Sequence, residues 1–393
     1  MRLHPSMKHF VIVGAMLAGW PFAREVQATA VDAPLPARGV YVGLELPPGP
    51  NNPRNSEGAF MPLKDGRIMF AYSRYREKSG SDHAPADIAA RYSSDQGRTW
   101  TTNDEIIVKN EGGMNVMSVS LLRLQSGEIA LFYLRKNSTK DCRPVLRRSF
   151  DEGKTWGEPT VCITDEVAYY VLNNDRVIQL KDGRLLFAVS HRSFPDGKTD
   201  HQGKVCTYSS DDNGKTWRRG KSLLEVRAAD GTRYAAEEPG VVELKDGSVL
   251  LWIRTNAGCQ YSSQSFDRGE RWTDPYPSAL VGPRSPASIK RLQTGDLLAV
   301  WNDHTNRPDE AKKAPKWSNG RRTPLTTAIS SDDGRTWTHV RNLEDASNGW
   351  YCYIAMQPLA DGTVLLGYCA YRGLAHSRIV KVPINWFYEK QGE

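Results

Sequence analysis

The chain has 393 residues, 39% of them hydrophobic and 25% charged, which is ordinary globular composition and too long for one small domain. Its formal net charge is +7, but no block of Lys and Arg interleaves with aromatics, so the charge gives no reason to expect nucleic acid as a partner. Glycine (33) and tryptophan (11) are plentiful, which suits many tight turns and many aromatic packing layers.

The N-terminus reads as an export signal. Arg2 and Lys8 precede the apolar run "FVIVGAMLAGW" (10–20), and "QATA" (27–30) offers small residues for cleavage after Ala30. The apolar run is too short to span a bilayer comfortably. Residues 1–30 are thus expected to be removed, leaving 31–393 as a single periplasmic or secreted domain without a membrane span. Removing Arg2, Lys8, Arg24 and Glu25 takes away three positive charges and one negative, so the mature chain keeps about +5.

Two phrases then alternate along the chain. The first is a polar turn ending in Gly before a short apolar strand: "LKDGRIMF" (63–70), "LQSGEIAL" (124–131), "LKDGRLLF" (180–187), "LKDGSVLL" (244–251), "LQTGDLLA" (292–299) and "LADGTVLL" (359–366). Such turns make hairpins, because Gly accepts a positive φ without steric cost. The second is "SSDQGRTW" (93–100), with near-copies at 149–156, 210–217, 265–272 and 330–337. In it the Asp accepts N–H groups of its own turn, and the Trp returns to pack on neighbouring strands. Asp95, Asp151, Asp212, Asp267 and Asp332 are therefore read as turn residues, not catalysts. Each unit reads strand, turn, strand, loop, strand, Asp-rich turn, strand. Four strands per unit and six units predict an all-β, six-bladed β-propeller of four-stranded antiparallel blades. The sixth unit lacks the Asp-rich turn, so "GVYVGLEL" (39–46) is expected to close the ring with the last blade. Six cysteines permit disulfides, and Cys352 with Cys369, flanking one hairpin, is the first pair to test. The histidines show no metal-ligand spacing.

A propeller's site lies at one mouth of its channel, where the inner strands converge. The position nine residues before each turn glycine should sit at one height in every blade. Those positions hold Glu57, Ser118, Asn174, Glu238, Pro286 and Tyr353. Two carboxylates and a Tyr make a polar assembly that a packed core avoids.

The Asp-rich phrases resemble the Asp boxes of the sialidase superfamily, across essentially the whole mature chain. "EPGVVELKDGSVLLWIR" (238–254) is similar to the run in which a Glu opens one strand and an Arg ends the next, sixteen residues on; here these are Glu238 and Arg254. Arg322 stands eight residues before the Ser of the fifth Asp box, as the family places a second Arg. "YIAMQPLADG" (353–362) resembles the strand that carries the family's nucleophilic Tyr, which points to Tyr353, with Tyr351 the alternative inward residue. "DHAPADIAAR" (82–91) resembles the loop of the acid/base Asp, pointing to Asp82 or else Asp87. The resemblance implies that Arg254 and Arg322 hold the carboxylate of a sialic acid, Glu238 takes the proton of Tyr353, and Asp82 serves the leaving oxygen, with retention of configuration. It implies a glycan substrate and no cofactor.

The pattern breaks in blade one. The family's Arg-Ile-Pro supplies a third clamp arginine, and here Ser56 fills that slot in "NPRNSEGAF" (52–60). Arg54, two residues early, or Arg284 in "GPRSP" (282–286) is expected to replace it. Glu57 takes a slot that is apolar in the family, and Asn174 and Asp175 are expected to read hydroxyls. Two other functions compete: a non-catalytic glycan-binding propeller, and a glycosidase or lyase that uses Glu57 on a different sugar.

Overall fold

The computed structural model describes residues 36–193, 198–306, 320–370 and 373–389; the expected export signal lies outside them. The strands build six antiparallel sheets, over residues 55–108, 115–161, 170–219, 237–281, 288–344 and 352–383, each one blade of a β-propeller. Tyr41–Leu46 joins the last blade as its outermost strand, pairing with Ser377–Pro383 (Val42 opposite Val380, Leu44 opposite Ile379). The first described strand thus closes the ring on the last hairpin, as the sequence led us to expect. Blade 3 differs in detail. Its inner strand is cut into Tyr170–Val171 and Ile178–Gln179, both paired with Leu185–Ser193. Among the described residues no helix is long and apolar enough to cross a membrane.

Neighbouring blades share their cores. Met61 and Met69 of blade 1 pack with Val116 and Leu131 of blade 2. Phe60 and Phe70 of blade 1 pack with Leu365 and Ile379 of blade 6, sealing the ring where the first and last blades meet.

The Asp boxes explain why adjacent sheets keep a fixed spacing. In the first, Asp95 accepts the Thr99 amide (2.8 Å) and hydroxyl (2.6 Å), and the Gly97 amide donates to Ser93 Oγ (2.8 Å). Gln96 and Gly97 are both left-handed, with φ of 60° and 83°. Gly97 is needed for packing as well as for conformation: a Cβ there would lie 2.5 Å from Leu365 of blade 6. Gly153 meets Met69 of blade 1 in the same way, also at 2.5 Å. Each box therefore docks on the preceding blade. Hydrogen bonds from Thr155 and Thr336 hold the carboxyls of Asp151 and Asp332 down to about 2. In the fourth box Arg271 replaces Thr and keeps both contacts, its amide donating to Asp267 at 2.7 Å and its guanidinium at 3.3 Å.

Candidate active site

Four inner strands reach the channel through the same distortion. Each carries a β-bulge, between Ser56 and Ala59, Met117 and Ser120, Glu237 and Gly240, and Cys352 and Ala355. Inside each bulge sits a non-glycine residue with positive φ: Glu57 (58°), Ser118 (60°), Glu238 (40°) and Tyr353 (58°). Such backbone costs of order 1–3 kcal/mol per residue and persists where the fold overrides it, characteristically at sites. Two of the bulges lie flat on aromatic rings: a Cβ at Gly58 would stand 2.3 Å from Phe70, and one at Gly240 2.1 Å from Trp252. In blade 3 the interrupted strand moves the left-handed residue one place on, to Asp175 (54°), so Asn174 is not the equivalent position. In blade 5 the equivalent is Pro286, whose ring forbids positive φ, and the strand begins only at Ser288.

The bulges open into a cavity of about 370 Å³. Glu57, Asp82, Glu238, Arg254, Arg322 and Tyr353 all line it. Tyr353 donates its hydroxyl to Glu238 Oε1 at 3.3 Å, and Arg254 Nη1 donates to Glu238 Oε2 at 2.6 Å. Burial first, then the Glu238 charge, pushes the Tyr353 phenol well above its usual range, so it is neutral at rest. Arg322 is 3% exposed and lies over the rings of Trp350 (5.2 Å) and Tyr353 (5.7 Å). Tyr351 is buried against Tyr368 and Asp87 is held by Arg76 (3.1 Å) and the Asn110 amide (2.8 Å); neither lines the cavity.

Asp82 sits at the rim with its side chain 59% exposed. Burial of its loop works to raise its carboxyl, but the Arg54 guanidinium prevails and holds it low. Arg54 is itself buried. It donates Nε to Ser56 Oγ (2.8 Å), Nη2 to Glu57 (3.0 Å) and Nη1 to both Gly80 O (3.2 Å) and Asp82. Its guanidinium thus reaches the slot that Ser56 leaves empty, yet it is spent on two carboxylates and does not line the cavity. Burial pushes the Glu57 carboxyl up, with Arg54 opposing.

The remaining expected residues are elsewhere. Arg284 grips Glu237 with two nitrogens, at 2.8 and 2.6 Å. Asn174 donates to Gly58 O (2.8 Å) and Tyr353 O (3.2 Å), tying blades 1, 3 and 6 together beneath the bulges. Asp175 pairs with Lys290 (2.8 Å) and accepts the Met356 amide (2.9 Å). None of the three lines the cavity.

Several cavity residues escaped sequence reasoning. Glu237, beside Glu238, gathers Arg192, Arg254 and Arg284 around one carboxylate; burial would raise it, but those guanidiniums hold it far below the usual range. Lys136 donates to the Asp82 carbonyl at 2.6 Å, joined by Asn115 at 2.9 Å, so the rim loop is pinned from behind. Asn173 lines the cavity, its buried amide nitrogen without a hydrogen bond among the described residues. Met117, Leu134, Tyr169 and Leu374 form an apolar wall. One signal was available: a cation seven to nine residues after the turn glycine recurs as Lys136, Arg192 and Arg254.

Comparison with known proteins agrees with this architecture. The family model of the BNR repeat-like domain matches residues 51–366. An anhydrosialidase of Macrobdella decora is 27% identical over 265 residues, 61% of this chain and 31% of that protein. A sialidase of Bacteroides fragilis (strain YCH46) is 27% identical over 228 residues, 54% of this chain and 37% of its own. The chain spans about a third of the length of these curated relatives. The solved NanB sialidase of Streptococcus pneumoniae matches with a TM-score of 0.66 at 14% identity, over 88% of this chain and 71% of that one, a likeness of fold. With the Asp boxes, the ring of six blades and a match across most of its length, the chain belongs to the BNR repeat-like family, as a divergent member of the sialidase superfamily.

Proposed function

We propose that the chain is an exported exo-acting glycosidase of the sialidase type, releasing a terminal sialic acid or a related acidic sugar from glycans with retention of configuration. The observation that carries this reading is the hydrogen bond from the Tyr353 hydroxyl to Glu238 at 3.3 Å, in a cavity that Arg254 and Arg322 also line. A cavity of about 370 Å³ suits one terminal sugar. The guanidinium groups bind the sugar's carboxylate. That carboxylate would repel a carboxylate nucleophile, whereas a neutral phenol meets no such repulsion. As Tyr353 Oη bonds to the anomeric carbon, its proton passes to Glu238, the glycosidic C–O bond breaks and Asp82 protonates the leaving oxygen. Asp82 then takes a proton from water, which displaces the tyrosine as Glu238 returns the phenolic proton.

One observation favours a second reading. Glu57 is a buried carboxyl of the cavity whose titration is pushed up, the property of an acid acting on a different sugar. A panel of chromogenic sialosides, deaminated sialosides and uronosides separates the two. Tyr353→Phe is expected to lower turnover by roughly a thousandfold or more while leaving substrate binding largely intact. Undiminished activity in that variant removes the proposed nucleophile. Wild-type binding without turnover on any of the panel would instead make the chain a glycan-binding propeller.

A further inference from the structure

The charges around the cavity are not evenly spread. On the side of blades 1 and 2, Arg54 and Lys136 face Glu57 and Asp82, two cations against two carboxylates. On the side of blades 3, 4 and 5, four guanidiniums (Arg192, Arg254, Arg284, Arg322) face two carboxylates (Glu237, Glu238), which leaves two positive charges unmatched among the described residues. Arg322 has no carboxylate within ion-pair distance among the described residues, although it is 3% exposed. A buried surplus of charge is costly unless a counter-ion completes it.

Hydrogen-bond accounting points to the same place. Six arginine Nε groups are buried without a hydrogen bond among the described residues, and three of them (Arg192, Arg254 and Arg322) line this one cavity, that of Arg254 facing Glu237 at 3.4 Å. Arg192 extends from the end of the second strand of blade 3, Leu185–Ser193, as Arg254 does from that of blade 4, Val249–Arg254. Its Nη2 rests on Glu237, the carboxylate that also braces Arg254 and Arg284, and among the described residues its Nη1 makes only a 3.4 Å bond to His201 O. Arg54 and Arg284, by contrast, do not line the cavity and only hold its carboxylates from behind.

We infer that Arg192 is the third cation of the substrate-carboxylate site, so that the carboxylate docks over blades 3 to 5 while blades 1 and 2, with Glu57 and Ser118, face the sugar's hydroxyls. This rests on the reading of the cavity as an acidic-sugar site. It explains how the chain dispenses with an arginine in the Ser56 slot. A carboxylate placed there would meet Glu57, whereas the opposite wall offers three forks and a charge deficit.

The test is calorimetric titration of wild type, Arg192→Met and Arg192→Lys with N-acetylneuraminic acid, glucuronic acid and the methyl ester of each. A charge-assisted hydrogen bond to a carboxylate is worth roughly tenfold in affinity or more. Arg192→Met is expected to weaken the acids at least about tenfold and the esters no more than about threefold, with Arg192→Lys in between. Equal binding of the acids by wild type and Arg192→Met overturns the inference, as does wild type that binds neither acid. Wild type that binds only the uronic acid, through Arg192, keeps the inference and defeats the sialic-acid reading. Should Arg192→Met not fold, Arg192→Lys makes the same comparison, because it keeps a cation on Glu237.

Discussion

A single carboxylate at the rim decides how the proposed chemistry should respond to acid. Asp82 must carry a proton to assist the leaving oxygen, yet Arg54 holds its carboxyl below the ordinary range. A lowered pKa means that the protonated form grows only as pH falls. We therefore expect kcat/KM for a sialoside with a poor, alkyl leaving group to rise as pH is lowered through the carboxylate range. In Asp82→Asn that dependence should vanish, with activity on alkyl sialosides down by roughly 10²–10⁴ and much less on a phenolic leaving group that departs without help. A pH–rate profile of Asp82→Asn that matches wild type would take the acid role from this residue. The residues that were legible in the sequence share one property: Glu238, Arg254 and Tyr353 stand at fixed distances from hairpin glycines, and Arg322 from an Asp box, so the turn sets their position. Arg192 and Lys136 carry only a loose marker, a cation seven to nine residues after a turn glycine, and a spacing that varies by two residues does not show which face of the strand the side chain takes until the chain is folded. Arg54 misled for the opposite reason. Its type suited a clamp, but its two nearest carboxylates, Glu57 and Asp82, had already claimed it.

At the scale of the element, the bulged inner strand is the unit that builds the site, and only its spacing was visible beforehand. Counting back nine residues works in blades 1, 2, 4 and 6 because their hairpins are alike. It slips by one in blade 3, where the inner strand breaks, and fails in blade 5, where Pro286 cannot turn left-handed. The bulge of blade 6 also carries a covalent expectation. Cys352, next to Tyr353, lies directly across from Cys369 on the neighbouring strand, and both are buried free thiols. Facing residues of antiparallel strands are about 4.5–5.5 Å apart at Cα, within the range a disulfide spans. In an oxidising compartment, a disulfide oxidant such as oxidised glutathione should take two electrons from the pair and link the strands. The intact mass of protein recovered from the periplasm or medium should then begin at Val31 and fall short of the reduced mass by two hydrogens. Reduction should lower Tm by several degrees, since closing a loop of this length is worth about 3 kcal/mol. A mass with both thiols free in oxidising conditions would leave the strands joined by packing alone.

For the whole molecule, the question is what keeps six sheets in a closed ring. Five blades dock on their predecessors round the ring through Asp boxes, the first of them on blade 6 itself; blade 6 has no box to dock on blade 5, and its outer edge is covered by Tyr41–Leu46. That strand places Leu46 in the core shared by blades 6 and 1. It also sends Glu45 to Arg378 (2.7 Å) and His376. Arg378, 1% exposed, is shared between Glu45 and the fully buried Glu344 (2.7 Å), and Tyr368 donates to the same Glu344. Without the strand, Arg378 loses one of its two carboxylates, and Ser377–Pro383, buried along most of its length, becomes an open edge. We expect a variant that lacks residues 39–46 to melt at least about 5 °C lower and to associate through the bared edge, read by differential scanning calorimetry and light scattering. A synthetic peptide of residues 39–46 added in excess should restore both the melting temperature and the monomer, because it binds only the folded ring. Glu45 sharpens the expectation. Burial works to raise its carboxyl, but His376 and Arg378 together hold it low. Its contribution is therefore complete above the ordinary carboxylate range and is lost as pH falls through the lowered value. The gap in melting temperature between wild type and Glu45→Gln should accordingly be widest near neutrality and close in acid. A gap that is constant with pH would mean that packing of Leu44 and Leu46, rather than the charge on Glu45, holds the ring shut.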